Sequence, residues 1–600
     1  MQIEEQDNTL FKSHETVAQN DEKAALLLRE NRFTEALECS QNSLNQKLKQ
    51  QETSLPIDEL SIAISYYQIG LALFALAKYD EALTSQQESL KLRIKVLGEN
   101  SNEVASCMDQ IGKFYSKKAQ YDQAYEWYDK ALNIRKNSST PEEYYHISAS
   151  YSHIGGIFYR RGDYNQALEY YNKAFETLNF DPNQEIDDLL SEESGAVIAK
   201  ILHNMGLLHK IQGKFDDALG YFNKALTIRK NIYHEKHVDI ADSLCNIGSV
   251  YSSKGQYEKA LEYYNEAAER QKQIFNLEHP EVAKIYFEIA LVLNKKGQYD
   301  KTLEIANDIL RINLGYFTEN HPSVAAIYNL LATIQENKGN YEEALKNAQK
   351  SLDIRLAIFG ELHVDTGRSY MALASIFLTQ KDFPEAIKNY IMTKEIFEKI
   401  FGEKHPLTAI VLSSLGLAQL NSKQVQKGTD NIEKALHIQI EIFGPDFVEL
   451  CTIYKALGFA HLMHGRYFTA QQNYEHALSL CQKGFGPTHP SLVSVYEHLA
   501  FLNSFQDVGK GIRYYTQAVR ISNMHLDQGQ PRLMNCYLNI AKLIIRFRDL
   551  KEAQNYLKKV LRIQRNSKRN EALALQAEEK LQQWEIQQIQ TDLNLPSNII

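Results

Sequence analysis

At 600 residues, 44% hydrophobic and 24% charged, with 28 Gly and 12 Pro, the chain exceeds one compact core and is expected to form several domains or a repeat array. Six scattered cysteines (Cys39, Cys107, Cys245, Cys451, Cys481, Cys536) without a CxxC exclude a disulfide framework or zinc module, and a net charge of −9 argues against nucleic acid as a partner. No apolar run approaches 18 residues and the opening MQIEEQDNTLFKSHE is polar, so the expectation is a cytoplasmic protein without membrane insertion.

In chain order, residues 1–56 read as a polar N-terminus and a degenerate capping copy, NRFTEALECSQNSL, with Phe33 at an aromatic position that recurs from there on. Clear copies follow over 57–177, where Tyr79, Tyr121 and Tyr164 are spaced by 42 and 43 residues. A step of 51 to Phe215 marks an acidic insertion at 178–195. Within it, NFDPNQEIDDLLSEESG sets Ile186, Leu189 and Leu190 among Asp181, Glu185, Asp187, Asp188, Glu192 and Glu193. Either this is a solvated loop, or it folds onto a basic surface and competes with a partner at high effective concentration.

From 196 to 565 the copies run on. Phe215, Tyr257, Tyr299, Tyr341, Phe383, Val425 and Tyr467 lie 42 residues apart, with Val508 and Leu550 following at 41 and 42. Leu573, Ala577, Leu581 and Trp584 then step by 4, 4 and 3 along a capping helix over 566–590, before a tail at 591–600 that is expected to fray.

Each copy reads as two amphipathic helices. Ile240, Leu244, Ile247, Gly248 and Tyr251 share one helix face, and Tyr257, Ala260, Leu261, Tyr264 and Ala267 share the next. Small Gly248 and Ala260 let two backbones approach, and Gly255 breaks the chain between them.

The set Gly206, Phe215, Ala218, Phe222, Ala225, recurring as Gly248, Tyr257, Ala260, Tyr264, Ala267, resembles the tetratricopeptide repeat, with a period of 42 in place of the standard 34. The extra residues form a second signature, FNLEHPEVA, FTENHPSVA, FGEKHPLTA and FGPTHPSLV, similar to the repeats of kinesin light chains and nephrocystin-type ciliary proteins. Over roughly residues 57 to 565 the resemblance implies an all-α, right-handed superhelical solenoid of about thirteen antiparallel helix pairs, each stabilised only by its neighbours around a long concave groove. It also implies a non-enzymatic interaction scaffold, of motor-cargo or ciliary type, associated with cytoskeleton or cilium. Kinesin light chains carry an N-terminal heptad region, and no heptads precede Leu60.

His237, His279, His321, His363 and His405 recur every 42 residues, but one per copy places them on the order of 10 Å or more apart, too far for a shared zinc ion. They read instead as turn residues ahead of Pro280, Pro322, Pro406 and Pro490 at helix starts. No GxSxG, HExxH, phosphate loop or dinucleotide fingerprint is present. Glu342 and Glu343 read as an exposed helix start. No catalytic residue, metal or cofactor is expected.

In the family, the first helix of each pair lines the inner wall. The matching positions hold Arg29, Lys113, Lys117, Arg160, Lys200, Lys210, Lys284, Lys295, Arg368, Lys455, Lys542 and Arg546, against Asp21, Asp109, Asp242, Glu336 and Glu497. Helix C-termini explain several of these cations but not Lys200, Lys284 or Arg368. Asn204, Asn246 and Asn329 resemble part of the kinesin light chain Asn-Asn-Leu-Ala lining, which Glu288, Ala372, Ser414 and Ala456 interrupt. Leu207, Ser249, Leu291 and Thr333 stand where chaperone-tail clamps carry Asn.

The expected groove is therefore Lys200, Asn204, Lys210, Asn246, Lys284, Lys295, Asn329 and Arg368, holding an acidic or leucine-bearing segment of a protein partner. The alternatives are a regulatory subunit that modulates an enzyme, or an RNA-binding repeat, which would need a period near 35 and a more basic wall. The sequence leaves the oligomeric state open.

Overall fold

The computed structural model describes residues 19–52, 59–137, 143–182, 191–233, 237–504, 506–525, 531–546, 550–567, 575–580 and 582–583. Among these the chain is a run of antiparallel helix pairs, each packed on the next, and no strand forms.

One pair shows the construction. Its first helix, Val238–Ser253, ends in a Schellman turn, where Gly255 N–H donates to the Ser252 carbonyl (3.2 Å) and Gln256 N–H to that of Tyr251 (2.9 Å). Gly255 takes φ +69° to allow this, and Ala77, Ala119, Gly162, Gly213, Gly297 and Gly339 are left-handed at the same point of other pairs. The second helix, Tyr257–Ile274, then lies close against the first. The closeness depends on the small residue: a Cβ on Gly206 would stand 2.6 Å from the ring of Phe222, and one on Gly458 2.5 Å from Tyr474.

Four pairs are joined to their successors by an arginine near the end of the second helix, Arg93, Arg135, Arg229 and Arg355. Arg229 donates to the Asp239 carbonyl (2.9 Å) and Ser243 Oγ (2.7 Å) of the following helix, and Arg355 to the Asp365 carbonyl (3.1 Å) and Ser369 Oγ (2.8 Å). The buried Arg135 guanidinium pairs with Asp109 at 2.6 Å and donates to Ser150 Oγ at 2.5 Å.

The array does not stay open. Tyr79 stacks on Phe359 (5.7 Å between ring centres), Tyr121 on Phe401 (5.9 Å), Tyr164 on Phe443 (5.3 Å) and Phe215 on Phe485 (5.7 Å). The partners are 270 to 280 residues apart, so the second superhelical turn rests on the first. The second signature makes this seam. In five of these loops a Phe ring stacks on the His ring four residues on, as in Phe317–His321 (3.8 Å) and Phe359–His363 (3.9 Å).

That stacking aims the imidazole two ways. Nδ1 accepts the backbone N–H two residues on, from Ser323 at 3.2 Å and Asp365 at 3.1 Å, and so caps its own helix. Nε2 reaches a carbonyl of the turn beneath: His321 to Ala75 (3.2 Å), His363 to Lys117 (3.0 Å), His489 to Ser253 (3.1 Å). The fit is close, since a Cβ on Gly162 would stand 2.8 Å from His405 and one on Gly255 2.6 Å from Pro490. Phe447 takes the histidine's place in one loop, stacked on Phe443 at 4.1 Å.

The expectation that copies are stabilised only by their neighbours is therefore corrected. The residues that lengthen the repeat form docking loops, and they close the groove into an interior. At the C-terminal end, Ala577 is buried with Leu533, Tyr537 and Leu557, while Leu573, Leu581 and Trp584 lie outside the described residues.

Candidate functional site

The expected cations lie on first helices of their pairs: Lys113 and Lys117 on Asn102–Lys117, Arg160 on Glu143–Arg160, Lys200 and Lys210 on Glu192–Ile211, Lys284 and Lys295 on Pro280–Lys296, Arg368 on Val364–Thr379. Lys113, Lys117, Arg160, Lys200, Lys284, Lys295 and Arg368 remain open to water, and Lys210 is half-buried.

Their environment is nevertheless confined. Desolvation by the surrounding protein lowers the Lys117 amine below its ordinary value, Asp365 opposes this, and Arg160, Lys284 and Arg368 deepen it. Lys113 is lowered likewise by desolvation and then by Lys200 and Lys117. Lys284, 167 residues away in sequence, is among the charges that depress the Lys117 amine. Among the described residues Lys117, Arg160 and Lys200 carry no ion pair or hydrogen bond from their charged heads, and Lys113 lies only over the Phe74 ring.

The remaining site residues are partly engaged. Lys284 pairs with Glu281, Arg368 with Asp365 (3.1 Å), Lys210 donates to Ser249 Oγ (2.8 Å) and Lys295 to Ser252 Oγ (3.2 Å). Asn204 donates to Ser152 Oγ (3.0 Å) and Asn246 to the Asp242 carbonyl (2.7 Å), so both amides serve the wall itself. Asn329 keeps a buried Oδ1 without a partner. Elsewhere, Lys455 donates to Ser494 Oγ (3.0 Å), Arg29 and Lys542 are exposed, and the side chain of Arg546 lies outside the described residues.

Two expected inner-wall acids are not on the wall. Asp21 is paired with buried Lys47 (2.6 Å) and Asp109 with Arg135, both within the packing of successive pairs. Glu336 accepts from Thr379 (2.8 Å) and Ser375 (3.1 Å), and Glu497 accepts from the Cys536 thiol (3.3 Å).

Sequence reasoning missed the acids that the second turn brings in. A cavity of about 550 Å3 on the inner side of the seam is lined by Lys117, Arg160, Lys210 and Arg368, by Asp365 and Glu449, and by rings including Tyr121, Tyr164 and Phe443. Burial would raise the Asp365 carboxyl, but Arg368, Arg355, His363 and Lys117 hold it below its usual range. Burial alone pushes Glu449 up. The signal for Asp365 was its place two residues after a seam histidine, legible only once that histidine is known to dock.

Of the acidic insertion, residues 183–190, with Glu185, Ile186, Asp187, Asp188, Leu189 and Leu190, lie outside the described residues. The Pro182 carbonyl accepts from Lys224, and Glu192 and Glu193 form the first turn of a helix capped by Ser191. Among the described residues no helix is long and apolar enough to cross a membrane.

Comparison with known proteins follows the same lines. No curated protein matches significantly. Solved structures that match include BtubC (BKLC) from P. vanneervenii, at 19% identity over 38% of this chain and 89% of that one, TM-score 0.31. A Rap protein complexed with Competence and Sporulation Factor matches at 13% identity over 64% and 99%, TM-score 0.44. The TPR-like repeats of a Podospora anserina protein described as a kinesin light chain match at 21% over 34% and 98%, TM-score 0.29. The tetratricopeptide repeat profile matches residues 61–137, 109–179, 197–273, 281–357, 324–393, 365–441 and 449–524, and a second profile of that name matches 245–315. With matches over most of its length and helix pairs throughout, the chain belongs to the tetratricopeptide repeat family.

Proposed function

We propose that the chain is a non-enzymatic scaffold that holds an acidic segment of another protein against its cationic interior. The observation that carries this is that Lys117, Arg160, Lys210 and Arg368, from separate helices, line one cavity. Such a cluster repels itself, and an anionic segment relieves the repulsion while gaining charge-assisted hydrogen bonds. The tetratricopeptide repeat is an interaction fold, which supports a protein partner, and the resemblance of the His-Pro loops to kinesin light chains favours a motor-cargo or ciliary adaptor. Because the seam closes the interior, the segment enters by an end or by parting the seam.

The test is affinity purification with mass spectrometry on the wild-type chain and on Lys200→Glu/Lys284→Glu/Arg368→Glu, all three exposed and so compatible with folding. Partners are expected to be depleted about tenfold or more by the reversals. An unchanged partner set contradicts the reading, and loss of partners on nuclease treatment would favour RNA instead.

A further inference from the structure

The arginine that joins one pair to the next is present as Arg93, Arg135, Arg229 and Arg355 and gives way to Leu178, Phe397, Gln439 and Cys481 elsewhere; between Arg229 and Arg355 two consecutive copies lack it. Gln271 and Asn313 occupy the positions that Arg229 and Arg355 hold one copy before and one copy after. Where those arginines meet a carbonyl ten residues on and a serine fourteen residues on, Gln271 and Asn313 face Glu281 with Ile285 and Ser323 with Ile327. All six of these residues line a cavity of about 320 Å3, within the size range of small-ligand pockets.

The cavity is rich in acceptors. Gln271 is only 2% exposed, and its Oε1 has no hydrogen-bond partner. A buried acceptor in that state costs roughly 1–3 kcal/mol. Asp242 and Glu288 share the lining, and neither is in an ion pair among the described residues. The cations that act on them also serve other groups: Arg229 donates to the Asp239 carbonyl and Ser243 Oγ, Lys284 pairs with Glu281, and Lys210 and Lys295 donate to Ser249 and Ser252. Burial pushes both carboxyls upward, and it outweighs the opposing pull of Arg229 and Lys284 on Asp242 and of Lys210, Lys295 and the Tyr264 hydroxyl on Glu288.

We propose that this cavity binds a guanidinium group, which takes the place of the missing arginine, donates to Gln271 Oε1 and draws its counter-charge from Asp242 and Glu288. The group is planar, multiply donating and permanently charged, which suits an acceptor pocket at a position that the copies on either side fill with arginine. It is supplied either by an arginine side chain of a bound segment or by a free small guanidine. The cavity shares one residue with the cationic wall, Lys284, which pairs with Glu281 of the same lining, and its agmatine readout does not depend on the scaffold reading.

Isothermal titration of the full chain with agmatine tests it. Gln271→Arg, which restores the repeat's own residue, is expected to abolish binding, and Asp242→Asn/Glu288→Gln, which keeps shape and removes charge, to weaken it about tenfold or more. Equal agmatine affinity in the wild type and Gln271→Arg, or no wild-type binding, overturns the proposal. A second arm separates the sources. An acidic peptide with one arginine that binds much tighter than both agmatine and its Arg-to-Ala counterpart identifies a partner side chain, and a peptide no tighter than agmatine identifies a free guanidine.

Discussion

Lowering the pH from 7 to 5 is expected to destabilise the chain by several kcal/mol, because the seam histidines are held neutral. Burial, more than any neighbouring charge, pushes His321, His405 and His489 down to about 4, and lowers His363 as well. Lys117 and Lys284 depress His321 further, whereas Asp365 opposes the shift at His363. Geometry gives the same sign: Nδ1 already accepts a backbone N–H, so a second ring proton has no place without breaking the cap.

Since the folded values lie below the unfolded one near 6.5, the unfolded chain takes up protons that the folded chain refuses. The stabilisation is complete above about pH 6.5 and is lost as pH falls toward 4, by roughly 1–2 kcal/mol per histidine at pH 5. Urea melts at pH 7, 6 and 5 measure it. Changing His321, His363, His405 and His489 to Asn keeps a capping acceptor but removes the titration, and should flatten the dependence. A wild-type midpoint that does not move between pH 7 and 5 contradicts a neutral-histidine seam.

Replacing Arg135 with Ala is expected to cost about 3–5 kcal/mol, the penalty for leaving one member of a buried ion pair alone. Its guanidinium meets Asp109 at 2.6 Å, Ser150 Oγ at 2.5 Å and Asn102 Oδ1 at 3.1 Å. Against burial, which would raise it, His153 and Arg135 hold the Asp109 carboxyl below its ordinary range. The loss should be local, since each pair meets chiefly its neighbours and the seam. Hydrogen exchange is expected to rise over 102–177 and not over 450–525, and the double change Arg135→Met/Asp109→Leu should recover much of the stability. If Arg135→Ala melts like the wild type, the pair is not buried as described.

The repeat was legible in the sequence because its packing demands are local. Gly206 with Phe222 and Gly458 with Tyr474 meet sixteen residues apart, and the same demand recurs in each copy, so a period shows it. The seam was not legible, because Tyr79 and Phe359 satisfy the same period whether or not a second turn lies on the first. The loop histidines were rightly placed at helix starts, yet only the carbonyls of Ala75, Lys117 and Ser253 reveal what their second nitrogen does.

For the interior, helix register placed Lys117, Lys284 and Arg368 on the first helices, and three-dimensional closure brought them within reach of one another. Register could not separate Asp109, which turns into the packing, from a wall residue. Nor could it distinguish Gln271 from other polar exceptions such as Gln439, until the acceptor-lined cavity beside it set it apart.

Closure of the superhelix is measured most directly by a distance across the seam. Exposed Gln120 and Leu362 line one surface cleft of about 420 Å3 although 242 residues separate them in sequence. With Cys39 and Cys245 changed to Ser, spin labels at Gln120→Cys and Leu362→Cys should give one short, narrow distance distribution by pulsed electron resonance at pH 7.5. A long or broad distribution there would mean that the second turn does not rest on the first, and would contradict both the seam and the confined cationic interior built on it.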